Sequence, residues 1–358
     1  MNLLKLSQLP DDIRQRACFD PGQDHYSFDQ SPLWYDLLGH YGLDHGRVEY
    51  YQCRADRMSV GGMWLPALRI NSHARFAPDY LQSLSNYYSS AYEPFAATDE
   101  RVSELVEAWA RANPQVDIFD INLLLKDSSA YQAVIIGFKS AGLWVQPYFR
   151  FSNWILTVQH RSFDDYFQSL PSKLKNTLAR KQRKLDREVD WHIEIVQAGG
   201  DLEQALTDYE RVYAASWKTA ETHNEFIRQF VLQSARLYNW PRLGLLYVDG
   251  QPIAAQLWFV KDQCASIFKL VYHENYKHYS PGSVLTQAMM QATIDTDQVQ
   301  VVDYLTGDDA YKQDWMNQRR ERWAVRGFNP RRLKGCAAAV HSFGRGMTQQ
   351  ILSKARGS

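Results

Sequence analysis

The segment from Tyr279 to Lys312 constrains this chain more than any other. It reads YSPGSVLTQAMMQATI, then a short acidic spacer, then VQVVDYLTGDDAYK. The run SIFKLVYHE before it predicts a strand. Ser280-Pro281-Gly282 predicts a tight turn that opens a helix, and VQVVD predicts a second strand. Strand, glycine turn, helix, strand presents backbone N–H groups and a helix N-terminus to a phosphate. The second strand carries one acid, Asp303, in an apolar run. A phosphate-bearing co-substrate beside a single acid points to group transfer.

Composition narrows the setting. A chain of 358 residues is long for one core and suits two domains. Lys plus Arg equal Asp plus Glu at 40 each, so overall charge gives no reason to expect DNA as a partner. The 11 Trp and 21 Tyr fit both an ordinary core and an aromatic substrate cleft. Cys18, Cys53, Cys264 and Cys336 are far apart and lack the paired spacing of a zinc site, so no metal is expected. Scattered thiols suit a reducing cytoplasm, the expected location. The start, MNLLKLSQLPDDIRQR, lacks the pattern of a signal peptide, and no apolar run approaches the ~20 residues that span a membrane.

Along the chain, the first part reads as mixed α/β. YDLLGHYGLD predicts a short helix. RVEYYQCRAD and VGGMWLPALRI alternate apolar and polar residues and predict a hairpin with a turn between them. DERVSELVEAWARAN sets Val102, Leu105, Val106 and Trp109 at amphipathic helical spacing, stopped by Asn113-Pro114. FDINLLL predicts a strand, and AYQAVIIGF is open between helix and strand. The second part begins near His160 with SFDDYFQSLPSKLKNTLARKQRKLDREV, a helical stretch dense in Lys and Arg. WHIEIVQ is a strand, DLEQALTDYERVYAASWK and NEFIRQFVLQSARLYNW are helices, and Asp249-Gly250 turns a hairpin within LGLLYVDGQPIAAQLWFV. RRERWAVRGFN is the last strand. The order suggests two related α/β units in tandem, without a repeat at the level of residues.

These residues carry a family resemblance. SFDDYFQSLPSKLKNTLARKQRKL, ASWK, VDGQPIAAQLWF, YSPGSVL and VDYLTGDDAYKQDW together resemble the GNAT-type acyltransferases of the FemAB-like and cellulose-biosynthesis (CelD/BcsL) group. The likeness covers most of 150–325 and extends weakly into the first part through WLPALRI and NYYSSAY. It implies an α/β fold of two tandem GNAT-like domains, each a mixed central sheet flanked by helices. Residues 1–155 would be a degenerate, acceptor-side domain, 156–330 the acyltransferase domain, and 331–358 a basic tail. The implied activity is transfer of an acetyl or longer acyl group from acyl-CoA to an amine, such as that of an amino sugar or a polysaccharide or cell-envelope precursor. The related FemABX enzymes take aminoacyl groups from tRNA instead. The usual GNAT pyrophosphate loop is absent, and Pro281 removes one N–H donor from the turn that stands in its place.

Each candidate residue has a plainer reading beside it. Ser280, Gly282, Ser283 and Val284 are expected to bind the donor, with an ordinary helix start as the alternative. Lys269 flanks that turn and could meet phosphate. Asp303 is the expected general base, or a strand-end carboxylate capping a turn. Asp308 sits at the mouth of the same crevice, or is a solvated loop acid. Trp217 and Lys218 belong, in the family look-alikes, to the acceptor side; Trp217 could equally dock its helix. Tyr311 and Lys312 match the family's YK pair. The basic run Lys173, Lys175, Arg180, Lys181, Arg183, Lys184 and Arg187 would serve tRNA under the second reading, and is otherwise a solvated face. The tail, with Arg331, Arg332, Lys334, Arg345, Lys354 and Arg356 but no acid, could touch anionic lipid. Its composition predicts a disordered or loosely docked segment.

Overall fold

The computed structural model describes residues 3–19, 27–53, 62–71, 74 and 76–356, with 345–356 as backbone only. The chain divides into two compact units, Met1–Phe151 with Glu321–Ser358, and Ser152–Arg320. Each is a mixed sheet flanked by helices.

The first unit contains β1 (Leu3–Leu6), α1 (Asp11–Arg14), α2 (Pro32–Tyr41), β2 (Arg47–Cys53), β3 (Met63–Ile70) and β4 (Tyr80–Ser83). It continues with α3 (Asp99–Arg111), β5 (Ile118–Leu125) and α4 (Ser129–Ser140). β1 to β4 form an antiparallel meander. The turn expected between β2 and β3 lies outside the described residues. α3 then crosses over and β5 pairs parallel to β4. The undecided AYQAVIIGF is helix α4. Ser128 caps it by accepting from the Tyr131 N–H at 3.2 Å. A Cβ at Gly137 would stand 2.6 Å from the Ser103 carbonyl oxygen, so glycine is what lets α4 close on α3.

β6 (Trp144–Thr157) carries the chain from the first unit into the second. There follow α5 (Phe163–Ser169), α6 (Ser172–Glu188), β7 (Trp191–Val196), α7 (Leu202–Ala214) and α8 (Asn224–Tyr238). Next come β8 (Pro241–Val248), β9 (Gln251–Lys261), β10 (Cys264–Tyr272), α9 (Pro281–Gln291) and β11 (Val301–Asp303). The long helical stretch of the sequence is two helices, because Leu170-Pro171 is extended between α5 and α6. β7 to β10 repeat the antiparallel meander, and β11 repeats the parallel addition after the crossover helix α9. Asp249 and Gly250 both have positive φ, which a two-residue hairpin turn with right-handed strand twist requires. Neighbouring residues of β9 face opposite ways. Trp258 joins the core beneath α9, while Phe259 meets Phe230 of α8 at 5.1 Å.

β12 (Gln318–Phe328) returns the chain to the first unit, where α10 (Leu333–Arg356) ends it. The sixth strand of each sheet therefore straddles a unit boundary, β6 running across Phe151–Ser152 and β12 across Arg320–Glu321. β12 pairs antiparallel with β5 in the first unit, and β6 with β11 in the second. The tail expected to be loose is helical from Leu333. Ala339 is fully buried against Ile118 and Phe328. The three alanines of the run CAAAV favour a helix, and the small side chain of Ala339 allows close docking.

Candidate active site

The second unit opens where its one parallel pair parts. β10 and β11 run together from Cys264–Val301 to Ser266–Asp303, where β11 ends. β10 continues to Tyr272 with no strand beside it on that flank. It also carries a bulge: its register against β9 shifts between Ile267 and Lys269, leaving Phe268 extra. A bulge bends its strand and re-aims the residues around it.

A cavity of about 320 Å³ occupies this opening. Leu270 and Tyr272 of β10 form one wall. Ser280, Gly282, Ser283 and Thr286, from the start of α9, form a second. Tyr304, Tyr311 and Trp315 follow β11 and form the third. Trp217 closes a side, its ring 4.5 Å from that of Tyr272. Lys277 stands at the edge.

The turn into α9 is held from beneath. Ser280 takes left-handed φ and ψ of 53° and 48°, and Pro281 occupies the first helical position, where its missing N–H is least costly. The N–H groups of Ser283 and Val284 both donate to the Ser280 carbonyl, at 3.0 and 3.2 Å. Among the described residues, only the Gly282 N–H of this first turn is left for a ligand. Gln256, fully buried, donates from Nε2 to the Gly282 carbonyl and to Thr286 Oγ1, each at 2.8 Å, and accepts from Trp258 Nε1. A buried amide with its hydrogen bonds made fixes one arrangement.

The expected donor-side residues separate. Ser280, Gly282 and Ser283 line the cavity together, whereas Val284 is wholly buried in the core beneath α9. Lys269 is also buried and pairs with Glu221 at 2.6 Å. Burial pushes its ammonium down and Glu221 opposes that shift.

Asp303 lies at the end of β11, outside the cavity lining, and its carboxylate is fully engaged. It accepts from Asn153 Nδ2 at 2.7 Å, from the Leu305 N–H at 2.7 Å and from Arg320 Nη2 at 2.6 Å. Leu305 has a φ of 54°, so Asp303 closes a sharp reversal of the chain. That reversal delivers Tyr304 into the cavity wall. Tyr304 is buried, and its hydroxyl makes no hydrogen bond of good geometry among the described residues. Burial raises it well above the usual phenol range, so it stays protonated and can donate.

The remaining candidates surround this wall. Tyr311 lies edge-on to Tyr304 at 5.8 Å, its hydroxyl pushed up to about 12 by burial and then by Asp309. Lys312, 4 % exposed, donates to the carbonyls of Thr306 and Gly307, pairs with Asp309, and lies 5.5 Å from the Tyr304 ring centre. It braces the loop from within. Asp308 takes Arg319 in a two-pronged pair and also Trp154 Nε1, and the Arg319 bonds first, then Trp154, hold its carboxyl low. α7 stops at Ala214, so Trp217 and Lys218 belong to the bend after it. Lys218 Nζ sits 5.9 Å from the Trp217 ring centre and 6.0 Å from that of Tyr213, with no ion pair among the described residues. Burial, and then the nearby Lys269, push its ammonium down to about 8, with Lys312 adding to the effect.

Residues 172–313 match the family model of the acetyltransferase (GNAT) domain. No protein of curated function matches the chain. Among solved structures, a crystal structure of FemX is 9% identical, covers 91% of this chain and 98% of its own, and has a TM-score of 0.62. A tandem GNAT protein from the clavulanic acid biosynthesis pathway is 12% identical with the same coverages and a TM-score of 0.51. The structure of L-PGS from Bacillus licheniformis is 10% identical, covers 86% of this chain and 95% of its own, and has a TM-score of 0.51. At such identities the likeness is one of fold. The chain has the mixed α/β fold of tandem GNAT proteins, with an acetyltransferase-type domain match confined to its second unit.

Proposed function

We propose that the second unit transfers an acyl group from acyl-CoA to an amine. One observation carries this reading: the only parallel strand pair of the unit parts where an aromatic cavity opens, with a helix start on its wall. A pantetheine arm is long and narrow, with amide groups along it, and suits such a crevice. The thioester supplies the reactive carbonyl, and the chain's own groups bind, orient and move protons around it.

Gly282 offers its N–H, and Ser280 and Ser283 their hydroxyls, to the phosphate-bearing end of the donor. Lys277 adds charge there. Backbone N–H groups at the β10 bulge, beyond the last β11 pairing, are suited to polarise the acyl carbonyl as charge builds on oxygen. The Tyr304 hydroxyl, next to Thr286 on the cavity wall, donates to the departing sulfur. Lys218, whose ammonium lies 5.9 Å from the ring of the cavity-lining Trp217, is suited to accept the proton of the incoming ammonium, because an amine near 8 is partly neutral at working pH. Asp303 acts as a positioning residue that sets Tyr304 through the reversal at Leu305. The acceptor class, an amino sugar or a polysaccharide or cell-envelope precursor, rests on the family resemblance.

A second reading draws on the turn itself. One available N–H is a meagre cradle for a pyrophosphate. The adjoining α6 carries Arg180, Lys181 and Arg183 on its open side, and Lys181 reaches the His278 carbonyl beside the turn. Transfer from an aminoacyl-tRNA would use that surface.

Thermal denaturation with a panel of acyl-CoAs tests the first reading, since a ligand that binds only the native state raises the melting point. A rise with at least one acyl-CoA is expected, and no rise with any of them refutes it. Salt-sensitive tRNA binding that Arg180→Glu and Arg183→Glu abolish would establish the second.

A further inference from the structure

α10 has apolar residues on two faces, and the first unit uses one. Gly335 and Ala339 are buried, and Phe343 packs 5.8 Å from Phe328. The opposite side carries Leu333, Ala337 and Val340, spaced four and then three apart. Leu333 is 91% exposed and Val340 72%. In sequence the same spacing continues through Gly344, Met347 and Ile351. Phe76, 85% exposed, joins Leu333 along a groove of about 720 Å³ floored by Tyr80, Ile118 and Phe328. Large apolar side chains exposed together mark a surface that something covers.

The charge around this face says what covers it. From Arg322 to the C-terminus there is no Asp or Glu. Arg326 and Arg332 pair internally with Asp120 and Asp117, while Arg331 is exposed in the turn just before α10, Lys334 lines the groove with its ammonium donating to the Ala77 carbonyl at 2.9 Å, and His341 lines the groove beside it. A second copy of the same face would set like charge against like, so the occupant is anionic. An apolar stripe bordered by cations, on a helix of modest hydrophobicity, is the pattern of a helix that lies in the headgroup region of a bilayer. None of the helices searched among the described residues is long and apolar enough to cross one.

We propose that α10 seats the first unit on an anionic lipid surface. Leu333, Val340 and Phe76 enter the acyl boundary, and the exposed Arg331 meets the headgroups. This inference stands apart from the acyl-transfer reading. Flotation of the full chain with vesicles tests it. Binding is expected to equimolar phosphatidylcholine and phosphatidylglycerol but not to phosphatidylcholine alone, and to weaken in high salt. Leu333→Glu is expected to lower the affinity at least about tenfold, and Arg331→Ala roughly fivefold. Val340→Glu serves as an independent variant at a second exposed site, with melting points compared to show that each variant folds. Failure to float with the anionic vesicles overturns the proposal. So does wild-type binding by Leu333→Glu and Val340→Glu, or a lipid-free dimer that Leu333→Glu dissociates.

Discussion

Lys218 and Asp303 divide the chemistry that a sequence alone assigns to the acid. If Lys218 takes the proton, it must be neutral to do so, and its ammonium is held near 8. The acyl-transfer rate should therefore climb as pH rises and level off above about 8, and Lys218→Met should flatten that rise. Asp303→Asn should leave the inflection in place. It removes the carboxylate from Arg320, which keeps some contact with solvent, so the expected loss of stability is roughly 2 kcal/mol, below that of a fully buried pair. Tyr304→Phe keeps the ring and deletes only the hydroxyl, which makes no hydrogen bond of good geometry among the described residues; a fall in kcat of about a hundredfold with little change in melting point is expected. The turn at Gly282 is legible from its residues, because Ser-Pro-Gly before an apolar run has few other uses. Tyr304 is not, since a tyrosine after an apolar strand reads as core. The pairing of Lys269 with Glu221 joins residues far apart in sequence, so no spacing announces it.

At the scale of elements, legibility follows the strength of the local signal. The Asp249-Gly250 hairpin and the amphipathic α3 carry turn chemistry or periodicity that decides the matter. AYQAVIIGF does not, being apolar on most sides, and only its Ser128 cap and the fit of Gly137 against α3 make it a helix. The C-terminal segment reads as loose because composition weighs charge, whereas its Ala-rich helix docks on the first unit through the small residues Gly335 and Ala339. Gly137→Ala tests the close approach: the new methyl would meet the Ser103 carbonyl and Val106, and a loss of about 1–3 kcal/mol, read as a lowered melting point, is expected.

In the molecule as a whole, the two units differ in how the chain builds them. The second is continuous from Ser152 to Arg320, so a fragment with those ends is expected to unfold cooperatively and to keep any acyl-CoA binding of the full chain. The first depends on acid-sensitive contacts of its own. Glu49 is 1% exposed; burial alone would raise its carboxyl, but bonds from Arg69, Lys5, Tyr51 and Arg47 outweigh that and hold it at about 2. Stability from this group is complete above the ordinary value of 4.5 and is lost as pH falls toward 2. That loss should reach about 3 kcal/mol, and Glu49→Gln should blunt the acid dependence in pH-resolved denaturation. The two halves of the first unit also have a consequence for synthesis. Proteins usually fold from the N-terminus as they leave the ribosome. Here β5 has an open edge until β12, translated after the whole second unit, arrives to pair with it. The unit translated second can finish folding first, and throughout that delay the nascent chain displays a bare strand that a chaperone must shield.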